Sequence, residues 1–180
     1  MKSIVFMLFF ATISMFESNN TVSYVNVFDS PQIVEFGITL NTSQCNNKAY
    51  LAVDLPKNTK GWIYSITPID NDGATQLRGN LLDEVTRLAQ IHQASKIPDF
   101  LSPSRSNKIF NLYRIQGKSN IQSFNNCGYF EYTSKFINTK ARSGYVEKSS
   151  TDDTAYIGIE NSHDLKKLRL KIEVVAVVNE

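Results

Sequence analysis

The sequence predicts an all-β protein, a single antiparallel β-sandwich of about eight strands with one inserted α-helix. Short segments in which apolar and polar residues alternate recur along most of the chain, and this two-residue period is typical of half-buried strands. Turn-forming residues separate these segments. The one stretch with a helical period does not alternate with strands, as βαβ units would require. Together these observations favour two packed sheets.

The alternation predicts the strands in chain order. Trp62 falls on the apolar face of its segment, so we expect it in the core. In the last segment the outward positions change from charged residues to Val175 and Val177, so this strand should begin half exposed and end buried. The predicted strands are 32–40, 49–55, 61–67, 108–116, 129–137, 144–147, 155–160 and 168–178.

One helix is predicted at about residues 81–95. Asn80 can cap its first turn, and apolar residues at helical spacing form a stripe that includes His92. The helix should end at Ile97, because a residue that precedes proline avoids the α region. The segment Pro98–Asn107 is then expected to be a polar loop.

The N-terminal residues have the pattern of a secretory signal peptide. Lys2 precedes an uncharged apolar run from Ile4 to Phe16, and polar residues follow abruptly. The run is shorter than the roughly 20 apolar residues of a membrane span. We expect a signal peptide at 1–14, a single domain at 15–180 without a membrane span, and a secreted, periplasmic or extracellular protein. An uncleaved N-terminal anchor is the alternative.

The chain contains two cysteines, Cys45 and Cys127. In an oxidising compartment two cysteines most simply form one disulfide, and two free buried thiols are the alternative. The sequence has no C-x-x-C pair and no histidine cluster, so we expect no metal site and no cofactor.

Charge and motifs argue against two classes of function. The formal net charge of the whole chain is +2, too small for the basic surface expected of a nucleic-acid-binding protein. The catalytic patterns G-x-S-x-G, S-x-x-K and H-E-x-x-H are absent. The two histidines, His92 and His163, are best interpreted as a packing residue and a solvated turn residue. The sequence therefore favours a non-catalytic protein.

Two groups of residues are candidates for binding. The first is a basic group with a neighbouring histidine, which would suit an anionic ligand; its alternative role is a charged outer face that keeps an edge strand soluble. The second is the aromatic set from Tyr129 to Tyr145, because exposed aromatic rows stack on sugars; alternation places part of this set in the core. We expect the contact surface at the Pro98–Asn107 loop and the Asn161–Lys167 turn. The first group comprises His163, Lys166, Lys167, Arg169 and Lys171.

Two segments resemble secreted bacterial β-sandwich modules. In Ala49–Thr67 a strand leads through a Leu-Pro turn into an aromatic strand, as in the opening half of such modules. Tyr156–Val178 is similar to the closing strand pair of modules of the pre-peptidase C-terminal type. The inserted helix departs from that pattern. The resemblance implies a β-sandwich with an accessory role outside the cell, and it implies no catalytic residue.

The signal-peptide pattern, the strand pattern and the missing catalytic motifs lead to one expected function and two alternatives. We expect an exported, non-catalytic protein with a binding or accessory role at the cell envelope or outside the cell. Its partner would be a glycan, a protein or an envelope component, and not a nucleic acid. One alternative is a small secreted hydrolase that uses His92 or His163 with a nearby carboxylate. The other is a structural or adhesive subunit of a surface assembly.

Overall fold

The computed structural model describes residues 22–37, 45–69, 80–101, 108–148, 154–162 and 167–180. These residues form nine strands, two α-helices and one 3₁₀ helix at Ala94–Phe100. The α-helices are α1 (Leu81–Ala89) and α2 (Lys118–Asn125). The strands are β1 (Val22–Asn26), β2 (Gln32–Phe36), β3 (Lys48–Asp54), β4 (Thr59–Pro68), β5 (Phe110–Ile115), β6 (Ser134–Thr139), β7 (Arg142–Glu147), β8 (Thr154–Asn161) and β9 (Leu168–Asn179).

The strands form two antiparallel sheets, which confirms the predicted all-β sandwich. The five-stranded sheet has the order β1-β9-β4-β7. The strands β1 and β2 pair with the same edge of β9, β1 with its C-terminal half and β2 with its N-terminal half. The four-stranded sheet has the order β3-β8-β5-β6. The described residues contain one strand more than expected, since β1 was not predicted. It is only five residues long, and its pairing with the C-terminal half of β9 fixes its position.

The main apolar core lies between the two sheets. Alternate residues of the strands β2 to β9 point into it, as the two-residue period predicts. Trp62 is 2% exposed and belongs to this core, so that prediction is confirmed. The core also contains Leu112 and Ile159 from the four-stranded sheet and Leu170 and Ile172 from β9.

Helix α1 and the 3₁₀ helix cover the outer face of the five-stranded sheet. Val85 and Ile97 pack there against Val175 and Val177, which explains why the outward positions of β9 become apolar. Asn80 caps α1 by accepting a hydrogen bond from the backbone N–H two residues later. The predicted helix was too long, because α1 ends at Ala89. The 3₁₀ helix follows instead of a polar loop, since Ile97 is buried under the sheet.

Helix α2 covers the outer face of the four-stranded sheet, and the sequence analysis did not predict it. Its buried residues Ile121 and Phe124 pack against Tyr113 and Ile115 of β5. The Phe124 ring lies so close to Gly158 of β8 that a Cβ atom there would be 3.1 Å from it. A glycine in β8 therefore lets the helix approach the sheet.

The predicted strand at 129–137 is wrong at its beginning. The chain from Gly128 to Thr133 follows α2 without regular structure, and the strand β6 starts only at Ser134. The reason is the position of α2. Because this helix lies over the outer face of the sheet, the chain that leaves its last turn is above this face and not beside the edge strand. Within the residues that the structure describes, no helix is both long enough and apolar enough to span a membrane.

Candidate functional site

The outer face of the four-stranded sheet carries a row of aromatic positions. The pairing of β3, β8, β5 and β6 places Tyr50, Gly158, Tyr113 and Lys135 side by side across the sheet. Neighbouring strands are about 4.8 Å apart, so Tyr50 and Lys135 are separated by roughly 14 Å at the backbone. Helix α2 lies over the middle of this row, at Gly158.

Four rings at this face form an aromatic cluster of Tyr113, Phe124, Phe130 and Tyr132. The centroid of the Tyr113 ring lies 5.4 Å from those of Phe124 and Phe130 and 5.9 Å from that of Tyr132. Phe124 and Phe130 meet edge to face at 5.0 Å. Such tilted and edge-to-face pairs are the favoured arrangements of aromatic rings. The cluster therefore holds the chain after α2 firmly on the sheet.

Two lysines contact the rings of this cluster. The Nζ atom of Lys48 lies 5.1 Å from the Phe124 centroid, and that of Lys135 lies 5.5 Å from the Tyr113 centroid. Both distances are within the range of cation–π attraction. Lys135 is also 5.9 Å from the ring of Tyr132. A cation thus lies beside the exposed rim of the cluster.

Glu160 joins the aromatic cluster to a polar row on the same face. Its Oε2 atom accepts hydrogen bonds from the Tyr113 hydroxyl at 2.8 Å and from the Asn111 amide at 2.9 Å. Lys48 lies 3.9 Å from the other carboxylate oxygen. Burial raises the pKa of Tyr113 well above its ordinary value, and the hydrogen bond and negative charge of Glu160 raise it further. The Tyr113 hydroxyl is therefore a fixed donor and not a general base.

Two tyrosines at the edge of the aromatic cluster reach solvent. Tyr132 is 48% exposed and Tyr129, three residues earlier, is 89% exposed; we call these two residues the aromatic platform. Hydrogen bonds fix the backbone around them, since the N–H of Glu131 donates to the Asn120 side chain at 3.2 Å and the N–H of Thr133 donates to the Arg114 carbonyl at 2.8 Å. The backbone is thus held in place on both sides of Tyr132.

A disulfide between Cys45 and Cys127 holds the segment that precedes the platform. It joins the end of α2 to the chain just before β3, with the two Cα atoms 5.9 Å apart. The predicted pairing of the two cysteines is therefore confirmed. Disulfides persist in oxidising surroundings and are rare in the cytosol, so this bond indicates a compartment outside the cytoplasm.

Two members of the predicted basic group, Arg169 and Lys171, form ion pairs within the protein. Arg169 pairs with Glu35 at 2.6 Å, both on the surface. Lys171 is 8% exposed and pairs with Glu173 at 2.8 Å, whereas the sequence analysis placed it on an exposed outer face. Lys167 is exposed. Of the three described members of the group, two therefore have carboxylate partners within the protein.

The Glu173 carboxylate explains why Lys171 is buried. Its second oxygen accepts a hydrogen bond from the backbone N–H of Leu81, the first residue of α1, at 3.3 Å. A carboxylate near a helix N-terminus is stabilised by the helix dipole and by the free N–H groups there. The Lys171–Glu173 pair thus connects β9 to α1. The alternation of β9 could not reveal this, because α1 comes from a distant part of the chain.

Several sequence candidates lie outside the described residues. They are the signal peptide at 1–14, His163, Lys166 and most of the Pro98–Asn107 loop. Of the two histidines only His92 is described, and its ring stacks on Phe100 with 3.9 Å between centroids. The described residues contain no group of three or more histidine, cysteine or acidic side chains placed to hold a metal ion.

Comparison with known proteins gives no further assignment. The chain matches no protein-family model, and it has no significant match among curated proteins. The resemblance to pre-peptidase C-terminal-type modules therefore stays a prediction, and the function must be argued from the site.

Sequence reasoning missed the most connected residues of the site. Glu160 and Tyr113 sit on different strands, separated by α2, β6 and β7, and no local pattern links them. The sequence did draw attention to the aromatic residues from Tyr129 onward. It placed Tyr129 and Tyr132 on opposite faces of a strand, whereas both belong to an irregular segment in which that rule does not apply.

Proposed function

We propose that this protein is an exported, non-catalytic binding protein whose ligand is a glycan that stacks on the aromatic platform. The observation that carries this proposal is the exposure of Tyr132 on a rigid support. Its ring packs against Tyr113 and Phe130 at 5.9 and 6.0 Å, yet about half of its surface stays accessible. Tyr129, three residues earlier in the chain, is exposed as well, and grouped exposed apolar side chains mark binding surfaces more often than single ones do.

A sugar ring fits this surface on chemical grounds. The apolar C–H face of a pyranose packs on an aromatic ring, while its hydroxyl groups need donors and acceptors at the rim. Lys135, whose Nζ lies 5.9 Å from the Tyr132 centroid, and the exposed Glu131 supply charged groups beside the platform. Because the backbone is already fixed, little conformational entropy would be lost on binding.

Export is the second part of the proposal. It rests on the signal-peptide pattern in residues 1–14 and is supported by the disulfide, which favours an oxidising compartment. Mass spectrometry of the protein recovered from the medium or the periplasm tests it directly. We expect a mature chain that begins at Met15 and loses its Cys45–Cys127 bond only after reduction. Recovery of the full-length chain solely from the cytoplasm would overturn this part.

A glycan array followed by calorimetry tests the binding function. Tyr132→Ala should weaken binding of the best array ligand by about tenfold to a hundredfold, the loss expected when one stacked aromatic anchor is removed. Tyr50→Ala is the matched control, because Tyr50 is 47% exposed on the same face but lies beyond α2. We expect the control to bind like the wild type. Absence of any ligand for the wild type, or equal effects of the two substitutions, would refute the proposal.

A further inference from the structure

A second group of polar side chains lies between the sheets, where β6 and β7 form the edge of the sandwich. The pairing of β5 and β6 puts Arg114 opposite Ser134 on the inner face of the four-stranded sheet. In the five-stranded sheet, the pairing of β7 with β4 puts Arg142 opposite Ile66, which is a core residue. Arg114, Ser134 and Arg142 therefore point into the space between the sheets. We call this group the edge cluster.

Two aromatic side chains, Phe136 and Tyr64, lie beside the edge cluster. The Arg142 guanidinium lies over the Phe136 ring, 4.0 Å from its centroid, which connects β7 to β6. The Tyr64 ring lies flat against Gly144 of β7. Burial raises the pKa of Tyr64, whereas a hydrogen bond from Arg142 and the positive charges of Arg142 and Arg114 lower it. Both guanidinium groups thus act on one hydroxyl.

Two donors of the edge cluster lack acceptors. The Nε atom of Arg114 and the hydroxyl of Ser134 are buried and have no hydrogen-bond partner among the residues that the structure describes. Within the part of the chain that the structure describes, neither arginine forms an ion pair with an aspartate or glutamate. Buried donors are nearly always paired in native proteins, and two neighbouring cations repel each other. An anion beside the two arginines would supply the acceptor that these donors lack.

We propose that the edge cluster binds a small oxyanion, namely the carboxylate or sulfate group of a ligand. A guanidinium presents paired N–H donors that match the oxygen spacing of such groups. Arg142 is exposed and Arg114 only half-buried, so the ligand enters from solvent at the β6–β7 edge. The site lies on the opposite face of β6 from Lys135 and is independent of the aromatic platform.

Calorimetric titration with sodium sulfate, inorganic phosphate and sodium glucuronate tests this proposal. Millimolar concentrations at matched ionic strength in chloride avoid the general stabilisation of proteins by sulfate. We expect saturable binding of at least one of these anions, with the sulfate and glucuronate arms distinguishing the two ligand sources. The single tryptophan, Trp62, lies 5.6 Å from Tyr64 and gives a fluorescence signal for the same titration.

Substitutions test whether the edge cluster is the anion-binding site. Arg142→Gln should weaken anion binding by at least about tenfold, because it removes a charge-assisted pair. Arg169→Gln removes the same charge from the exposed pair with Glu35 and should bind within about twofold of the wild type. Arg114→Gln should weaken anion binding for the same reason as Arg142→Gln. If that variant does not fold, Ser134→Ala, which removes the other unpaired donor and little volume, takes its place.

Two results would overturn the proposal. One is the absence of saturable binding by the wild type for all three anions. The other is an equal loss of binding in Arg142→Gln and Arg169→Gln, which would indicate attraction by net charge alone. Tyr132→Ala should leave anion binding unchanged. Failure of the glycan proposal and failure of the anion site therefore give different patterns.

Discussion

The Lys171–Glu173 pair provides the sharpest test of how the sequence was interpreted. The sequence predicted Lys171 as part of a basic binding group, whereas the structure buries it in an ion pair that connects β9 to α1. Lys171→Met keeps the apolar stem and removes the charge. Glu173→Gln removes the opposite charge but keeps an oxygen that can accept the hydrogen bond from Leu81.

The exposure of the pair determines how much each single substitution should lower the free energy of unfolding. The side chains of Lys171 and Glu173 are 10% and 14% exposed, so removal of one partner leaves the other charge largely shielded from water. Breaking a fully buried pair costs about 3–5 kcal/mol, and the residual exposure reduces this to about 2–3 kcal/mol here. The double variant leaves no unpaired charge. It should therefore cost less than the sum of the two single variants, by about 1–2 kcal/mol.

Urea unfolding followed by circular dichroism measures these free energies. Arg169→Gln is the control, because the Arg169–Glu35 pair is 44% and 63% exposed and should contribute less than about 1 kcal/mol. Single variants at Lys171 and Glu173 that unfold within about 0.5 kcal/mol of the wild type would refute the reasoning. An additive double variant would show that the two charges do not interact.

Three further predictions concern the parts that support the two proposed sites. Cys45→Ser should lower the free energy of unfolding by about 4.5 kcal/mol in the chain-entropy model, since the bond closes a loop across a sequence separation of 82; denaturant titration checks it. Gly144→Ala should cost about 1–3 kcal/mol in the same assay, because a Cβ atom would lie 2.6 Å from the hydroxyl of a buried tyrosine; a neutral effect would mean that this ring moves freely. Because the pKa of Tyr113 is raised, the folded state keeps the hydroxyl proton to a higher pH than the unfolded state does. The protonated Tyr113 hydroxyl therefore contributes its full stability below pH 10.0, and this contribution is lost as the pH rises above 10.0. Tyr113→Phe should make this alkaline loss of stability less steep, and an unchanged slope would contradict the assignment.

The sequence predicted the sandwich because alternation reports directly on which face of a strand is buried. Trp62 and the apolar end of β9 were placed correctly for this reason, and Asn80 was identified as a cap from its own chemistry. These features depend on neighbours within a few residues. Local physical rules therefore suffice for them.

Helix α2 was missed because its sequence has little helical amphipathicity. Only Ile121 and Phe124 are buried, and the other positions are mostly polar residues of modest helix propensity. Its place is determined by the sheet beneath it, where Gly158 admits the Phe124 ring, and by the disulfide at its end. Tertiary contacts of this kind have no signature in a single sequence.

The same limit explains why sequence reasoning favoured the basic group over the residues that now carry the proposals. A run of lysines and arginines is visible in a sequence, but its ion-pair partners are not. Glu35 pairs with Arg169 because β2 lies beside β9, and Glu173, the partner of Lys171, is held by its hydrogen bond to α1. Arg114 on β5 and Arg142 on β7 belong to different sheets, and both face the space between the sheets only once the chain is folded. For an anionic ligand, the cations that matter are those that have no carboxylate partner among the described residues. Binding is therefore expected at the β6–β7 edge rather than along β9.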